Sequence, residues 1–242
     1  MNNIILKAKG VKQFTRDEVI ECMPLQATQT YTPISNRELI MTSLEVLDKC
    51  NFTVVNEFYK MDSSRQKMVG GLIVHSGDSD YNMMLGLKNS GDKSMSAAYT
   101  MGMSILVCSN SSVSGEEMMI RKHTGNANVE IKKALTESVL KLETQYSKIK
   151  ADFERLKEIE VTKKTCASLV GQMYLNENII TQQQLALVRD ELLNESYNYG
   201  VKDSAYNLYQ NITNSLKVSH PVNFFKNHVQ LHDFFVNEFE LV

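Results

Sequence analysis

Two short stretches carry the groups best suited to meet an anion. Lys88-Asn89-Ser90-Gly91-Asp92-Lys93-Ser94 offers backbone amides at a glycine turn, side-chain hydroxyls and two lysines, a set that fits phosphate or carboxylate oxygens. Arg121-Lys122-His123-Thr124 is a second basic spot. A solvated hairpin loop has the composition of the first, and an ordinary strand end that of the second. The nucleic-acid-binding residues assigned on this basis are Lys88, Asn89, Ser90, Lys93, Ser94, Arg121 and Lys122. Tyr81 and Tyr99 would add base stacking only with their rings in solvent.

Other chemistry is thinly represented. His228 and His232 stand four apart beside Asp233, within reach of one metal on a helix, yet the stretch lacks the glutamate of the zinc-protease motif and a third ligand at recognisable spacing. No serine sits in a nucleophile elbow, and no glycine pattern matches a phosphate loop or dinucleotide fingerprint. The expectation is a non-enzyme with no catalytic residue, metal or cofactor. The four cysteines, Cys22, Cys50, Cys108 and Cys166, are dispersed, which speaks against a disulfide framework and a zinc site and for free thiols.

Composition narrows the class further. Apolar residues at 43% and charged residues at 22% are globular values, so a folded chain is expected. A net charge of −2 supplies no global positive field, so polyanion binding has to come from a local stripe. The N-terminal Ile4-Ile5-Leu6 is too short for a signal core, and no run approaches the roughly 18 apolar residues that span a bilayer. A cytoplasmic protein with no membrane partner is the reading.

These residues need a scaffold, and the periodicity supplies an α+β one. Ser35-Asn36-Arg37-Glu38 reads as a capping box opening a helix of about 15 residues that stops at Asn51. Phe52–Tyr59 and Met68–His75 read as a β-hairpin about the Asp62-Ser63-Ser64 turn, and Tyr81–Leu87 as a third strand. In 95–107 every odd position from Met95 to Val107 is apolar. That favours a fourth strand with one buried face, although near-helical spacing of Ala98, Met101, Ile105 and Cys108 keeps helix open. A serine-rich break at 109–114 and a fifth strand over Glu117–His123 follow. The thirteen methionines fit a strand face packed under helices.

From Asn128 the pattern turns helical. Ile131, Leu135, Val139, Leu142, Tyr146, Ile149, Phe153, Leu156 and Ile159 form the seam of a long packed helix or coiled coil. Shorter helices are expected over Thr165–Leu175, Gln182–Leu193, Ser204–Leu216 and Val222–Phe239. The organisation is thus an antiparallel sheet with a capped helix in residues 1–126, then a helical region in 127–242 that packs on or extends from it. A seam this long suggests a homo-oligomer.

Three spaced motifs, Asn89-Ser90-x-Asp92-x-Ser94, Val107-Cys108-x-Asn110 and His123-Thr124-Gly125-Asn126, resemble the phage- and plasmid-encoded domain of unknown function labelled phage/plasmid-like protein. Thr32-Pro33-Ile34-Ser35 is similar to its lead-in and Tyr209-x-x-x-Thr213 to its C-terminal helix. The resemblance covers roughly residues 30–216 and departs at Gly91, Lys93 and Gln210, where members often carry His, Gly and Asn. It implies a mobile-element accessory protein in a host cytoplasm. One reading is an oligomeric DNA-binding protein of single-strand binding or annealing type. The element order resembles annealing proteins broadly, but those place a helix where 95–107 favours a strand. The alternative is a protein-binding antagonist of a host defence system, acting through a helical interface on a host protein.

Overall fold

A computed structural model describes residues 11–26, 28–29, 32–107, 110–113, 118–119 and 127–241. The chain opens with β1 (Val11–Phe14) and α1 (Arg16–Ile20), two short elements with no periodic signal of their own. The next helix, α2 (Asn36–Lys49), begins where Ser35 Oγ accepts the Glu38 amide at 3.0 Å. It ends before Asn51, whose φ of 61° turns the chain out of the helix.

The sheet follows. β2 (Val54–Asp62) and β3 (Lys67–Val74) are joined by a turn that Asp62 closes: its carboxylate accepts the Gln66 and Lys67 amides at 3.0 Å each and the Ser64 hydroxyl at 2.6 Å. Next come β4 (Tyr81–Ser90), β5 (Ala98–Ile105), β6 (Asn110–Val113) and β7 (Met118–Met119). Pairing is antiparallel throughout in the order β1-β2-β3-β4-β5-β6, with β7 also on β5. Residues 95–107 are thus strand at their centre, as the alternation favoured.

Two sequence expectations change here, and a third lies largely outside the described residues. The serine-rich break contains a strand: β6 pairs Ser112 with Met103 and Ser111 with Ser104, so tertiary pairing overrides the weak β propensity of Asn and Ser. Only Met118–Met119 of the fifth strand expected over Glu117–His123 belongs to the described residues. And β5 is buried on both faces, not one. Its odd residues Tyr99, Met101, Met103 and Ile105 meet the main helices. Its even residues Ala98, Thr100 and Ser104 are small and also buried, because a later helix covers that side.

The C-terminal half contains α3 (Ala127–Glu158), α4 (Lys163–Leu175), α5 (Gln182–Leu193), α6 (Ala205–Leu216) and α7 (Phe224–Glu238), close to the expected spans. The α3 seam is consumed within the chain. Ile131, Leu135, Val139 and Leu142 pack with Leu39, Ile40 and Leu47 of α2 and with Tyr99 and Met101. Ile149, Phe153 and Leu156 pack with Tyr81, Met103, Tyr206 and Tyr209. The length that suggested an oligomer is therefore taken up by the sheet together with α2 and α6.

The opposite face of the sheet, formed by Val69, Ile73, Met84 and Val113, receives Phe224 and Phe225 from α7. Gly86 makes this possible: a Cβ there would lie 2.7 Å from Phe225 Cζ and 2.4 Å from Thr100 Cγ2. Cys22, Cys50 and Cys166 are free, while Cys108 lies outside the described residues.

Candidate nucleic-acid interface

The expected anion loop is built differently from its composition. Asn89 and Ser90 are the last residues of β4, and both are buried. Asn89 Nδ2 donates to Ile34 O at 2.9 Å and Asn36 Oδ1 at 3.0 Å, tying β4 to the start of α2. Ser90 Oγ donates to Met95 O at 3.0 Å and accepts the Met95 amide at 2.9 Å, closing the 91–97 connection on itself.

The remaining donors of the loop are similarly committed. The Gly91 amide donates to Gln66 O at 2.8 Å. Asp92 accepts the Ser94 amide at 3.0 Å, the Ser94 hydroxyl at 2.5 Å and the Lys67 ammonium at 2.6 Å. Burial opposes ionisation of Asp92, but Lys67 and Ser94 outweigh it and hold the carboxyl well below the usual range. The loop thus holds an ion-paired carboxylate, with Lys88 half-buried and Lys93 exposed beside it. Arg121 and Lys122 lie outside the described residues. The rings of Tyr81 and Tyr99 are buried, so neither is a stacking platform.

Other motif residues meet in the core. Asn110 Nδ2 donates to Gln210 O at 3.1 Å and Gln210 Oε1 at 3.0 Å. Beside them runs a chain of polar side chains: Ser112 Oγ to Tyr209 OH at 2.6 Å, Tyr209 OH to His232 Nδ1 at 3.4 Å, and His232 Nε2 to Asp152 Oδ2 at 3.1 Å. Each of the four is at most 2% exposed. A Ser-His-Asp set is present by type, yet Tyr209 stands between serine and histidine, burial raises its pKa, and the chain is closed to solvent. It is a buried lock joining β6, α6, α7 and α3. His232 is thereby separated from His228, which packs against Phe224, and no metal-binding group occurs among the described residues. The spacing Tyr209-x-x-x-Thr213 was the available signal for this convergence, but it could not say which strand the helix would meet.

These motif residues all fall in one matched span. The chain belongs to the DUF932 family, a domain of unknown function. The match runs over residues 26–229, from before α2 to within α7, and so includes the Asn36–Asn89 tie and Ser112, Tyr209 and Asp152 of the lock. No curated protein and no solved structure matches the chain. Among the described residues no helix is long and apolar enough to cross a membrane.

The clearest cationic feature lies on α3. Lys141, Lys148 and Arg155 are exposed and recur every seven residues, hence on one flank of the helix at about 10.5 Å intervals. None of the three is in an ion pair among the described residues. Thr144 and Ala151, exposed between them, are neutral. Two other α3 lysines are compensated: Lys150 binds Asp78, and Lys157 meets Glu154 at 2.7 Å and the faces of Tyr81 and Tyr206. This ladder escaped the sequence reading because its positions are legible as a stripe only once the buried side of α3 is known.

A second surface feature is a groove of about 920 Å³ between α4, α5 and the start of α6. Val170, Val188 and Leu208 form a buried apolar floor, and Leu192 and Leu193 stand exposed at its lip. Lys163, Arg189 and Lys202 also line it, with Glu195 and Asp203.

Proposed function

We propose that the protein is a non-enzymatic accessory protein of a mobile element that binds the sugar-phosphate backbone of nucleic acid, single strands in particular, along the α3 ladder. The carrying observation is the row Lys141, Lys148 and Arg155, exposed and without carboxylate partners among the described residues. A row of cations repeating about every 10.5 Å along one helix flank can follow a polyanion backbone. Such contacts position a backbone without reading sequence. The lysines of the 88–94 loop remain candidates for a secondary contact, through charge alone.

The test is fluorescence anisotropy with labelled single- and double-stranded oligonucleotides over a salt series. Three neutralised phosphates give a slope of log K against log salt of about −2 for a single strand. Lys141→Gln/Lys148→Gln/Arg155→Gln removes that dependence while leaving the fold intact, because all three side chains are exposed. Lys88→Ala/Lys93→Ala changes it by a smaller amount. Absence of binding at low salt, or equal binding by the triple variant, sinks the reading.

The groove supports the other reading, a protein partner held by a helical surface. With the α3 seam covered, that surface is α4–α5, where Leu192 and Leu193 are exposed beside an apolar floor. Capture of a partner from host lysate that Leu193→Asp abolishes and the α3 variant retains would favour it, whether or not the partner belongs to a defence system.

A further inference from the structure

The groove between α4 and α5 is polar at one end and aliphatic at the other. One stripe of α4, Lys163, Cys166, Ala167 and Val170, forms one wall, and one stripe of α5, Leu185, Val188, Arg189 and Leu192, forms the other. Each stripe spans two helical turns, about 10.5 Å. Buried Leu208 of α6 adds to the floor. The polar end is tied together by backbone and side chain. The Val161 amide donates to Asp203 O at 2.8 Å and Asn207 Nδ2 to Glu195 Oε1 at 3.1 Å, so the starts of α4 and α6 meet the segment after α5 there. Lys163 and Lys202 belong to this end, and Arg189 stands one turn before the end of α5. Glu195 faces Lys202 at 4.0 Å, and Asp203 is the other acid of the lining. Three cations thus stand against two acids, and no ion pair among the described residues takes up Lys163 or Arg189.

We propose that this groove is a binding site for a medium-chain acyl carboxylate, with the head on Arg189 and Lys163 and the tail along Val170, Leu185, Val188 and Leu208. The excess of one cation matches a monoanion, and an arginine fork holds a carboxylate by two parallel N–H···O bonds. The tail is set by the walls. Among the described residues no aromatic ring lines the groove, so its aliphatic side chains suit a flexible chain better than a flat ring system. The volume of about 920 Å³ falls within the roughly 300–1,000 Å³ of small-ligand sites. A stable protein complex buries roughly 800 Å² a side, more than two turns of wall supply by themselves. The site is separate from the α3 row, and its occupation does not depend on nucleic-acid binding.

Cys166 provides a reporter, because its half-buried free thiol lines the wall while the exposed thiol of Cys50 lies outside the groove. The experiment is alkylation of the full-length protein by N-ethylmaleimide with and without decanoate below its micelle concentration, read thiol by thiol by peptide mass spectrometry. Decanoate should slow labelling of Cys166 saturably and leave Cys50 unchanged. In calorimetric titrations decanol should bind about tenfold more weakly than decanoate, and Arg189→Gln should remove that difference. Octanoate should also bind roughly tenfold more weakly, since each buried methylene contributes about fourfold. Ala167→Phe, at an exposed position of the wall, should block both ligands while the circular dichroism spectrum stays native. Equal labelling of Cys166 with and without decanoate overturns the proposal and returns the groove to the protein-partner reading. Decanol binding as tight as decanoate, or undiminished decanoate binding by both variants, overturns it as well. So does a native dimer that Leu193→Asp dissociates, which would place a second copy in the groove.

Discussion

His228 is a single side chain that gives the whole protein a response to acid. Burial, then the charges of Lys60 and Lys217, push its pKa down to about 3 against a weak opposing pull from the Ser111 backbone. The unfolded chain holds the proton up to about pH 6.5, so between those values it binds more protons than the native state. The His228 contribution is therefore complete above pH 6.5 and is lost as pH falls toward 3, on the order of 3 kcal/mol by pH 4. Urea midpoints measured from pH 7 to pH 4 should fall steeply for the native chain and much less for His228→Leu; parallel curves would show that His228 is not the group responsible. Gly86 is the other sensitive position, since an added methyl meets Thr100 Cγ2 at 2.4 Å and the Phe225 ring at 2.7 Å. Gly86→Ala should cost about 1–3 kcal/mol, and Phe225→Leu in the same chain should return part of it. Additive losses in the double variant would contradict the contact.

At the scale of elements, α3 carries the decisive prediction. Its seam residues Leu142 and Ile149 are fully buried against the sheet, α2 and α6. Leu142→Ala should lower stability by about 2–5 kcal/mol, and Leu142→Asp/Ile149→Asp should unfold the chain. Circular dichroism separates the outcomes. If the double variant keeps its helical signal and light scattering shows only a smaller particle, the seam joins subunits. The helices after Asn128 were legible from their apolar stripes, although α6 is buried on every side, its polar Asn207, Gln210 and Asn214 included. The strand pair around β6 was not, because Asn110, Ser111 and Ser112 are strand residues through their partners in β5 and α6.

For the whole molecule, the two halves share their cores. The sheet presents Tyr99, Met101 and Met103 to α3, and Val69 and Met84 to α7, so residues 1–126 alone keep only α2 over one face and lose the α7 cover of the other. That fragment should be soluble only as a dye-binding, proteolysis-sensitive species, with no cooperative urea transition. A sharp transition, or a dispersed amide spectrum, would establish an independent N-terminal domain. The nucleic-acid reading belongs to this scale as well: a chain of net charge −2 attracts a polyanion only at a local row of cations, and the proposed row on α3, Lys141, Lys148 and Arg155, has Glu137 and Glu158 at its two ends.

Local chemistry along the chain determined the α+β class, the capped α2, the β2–β3 hairpin and the approximate spans of α3 to α7, and it favoured the strand at 98–105 while leaving helix open. Hydrophobic period, cap residues and turn residues act within a few positions of themselves, so a linear reading finds them. The family resemblance carried by the spaced motifs is of the same kind. The fate of each polar side chain lies beyond that reach. Asn89 and Ser90 have the composition of a loop that greets an anion, but the register of β4 against β3 and the approach of α2 turn both inward. Tyr209 and His232 are unremarkable helix residues until α6 and α7 bring them against Ser112 and Asp152. The α3 ladder is set apart by what fails to pack around its side chains. Burial and charge pairing depend on residues far off in the chain, and only the tertiary structure decides them.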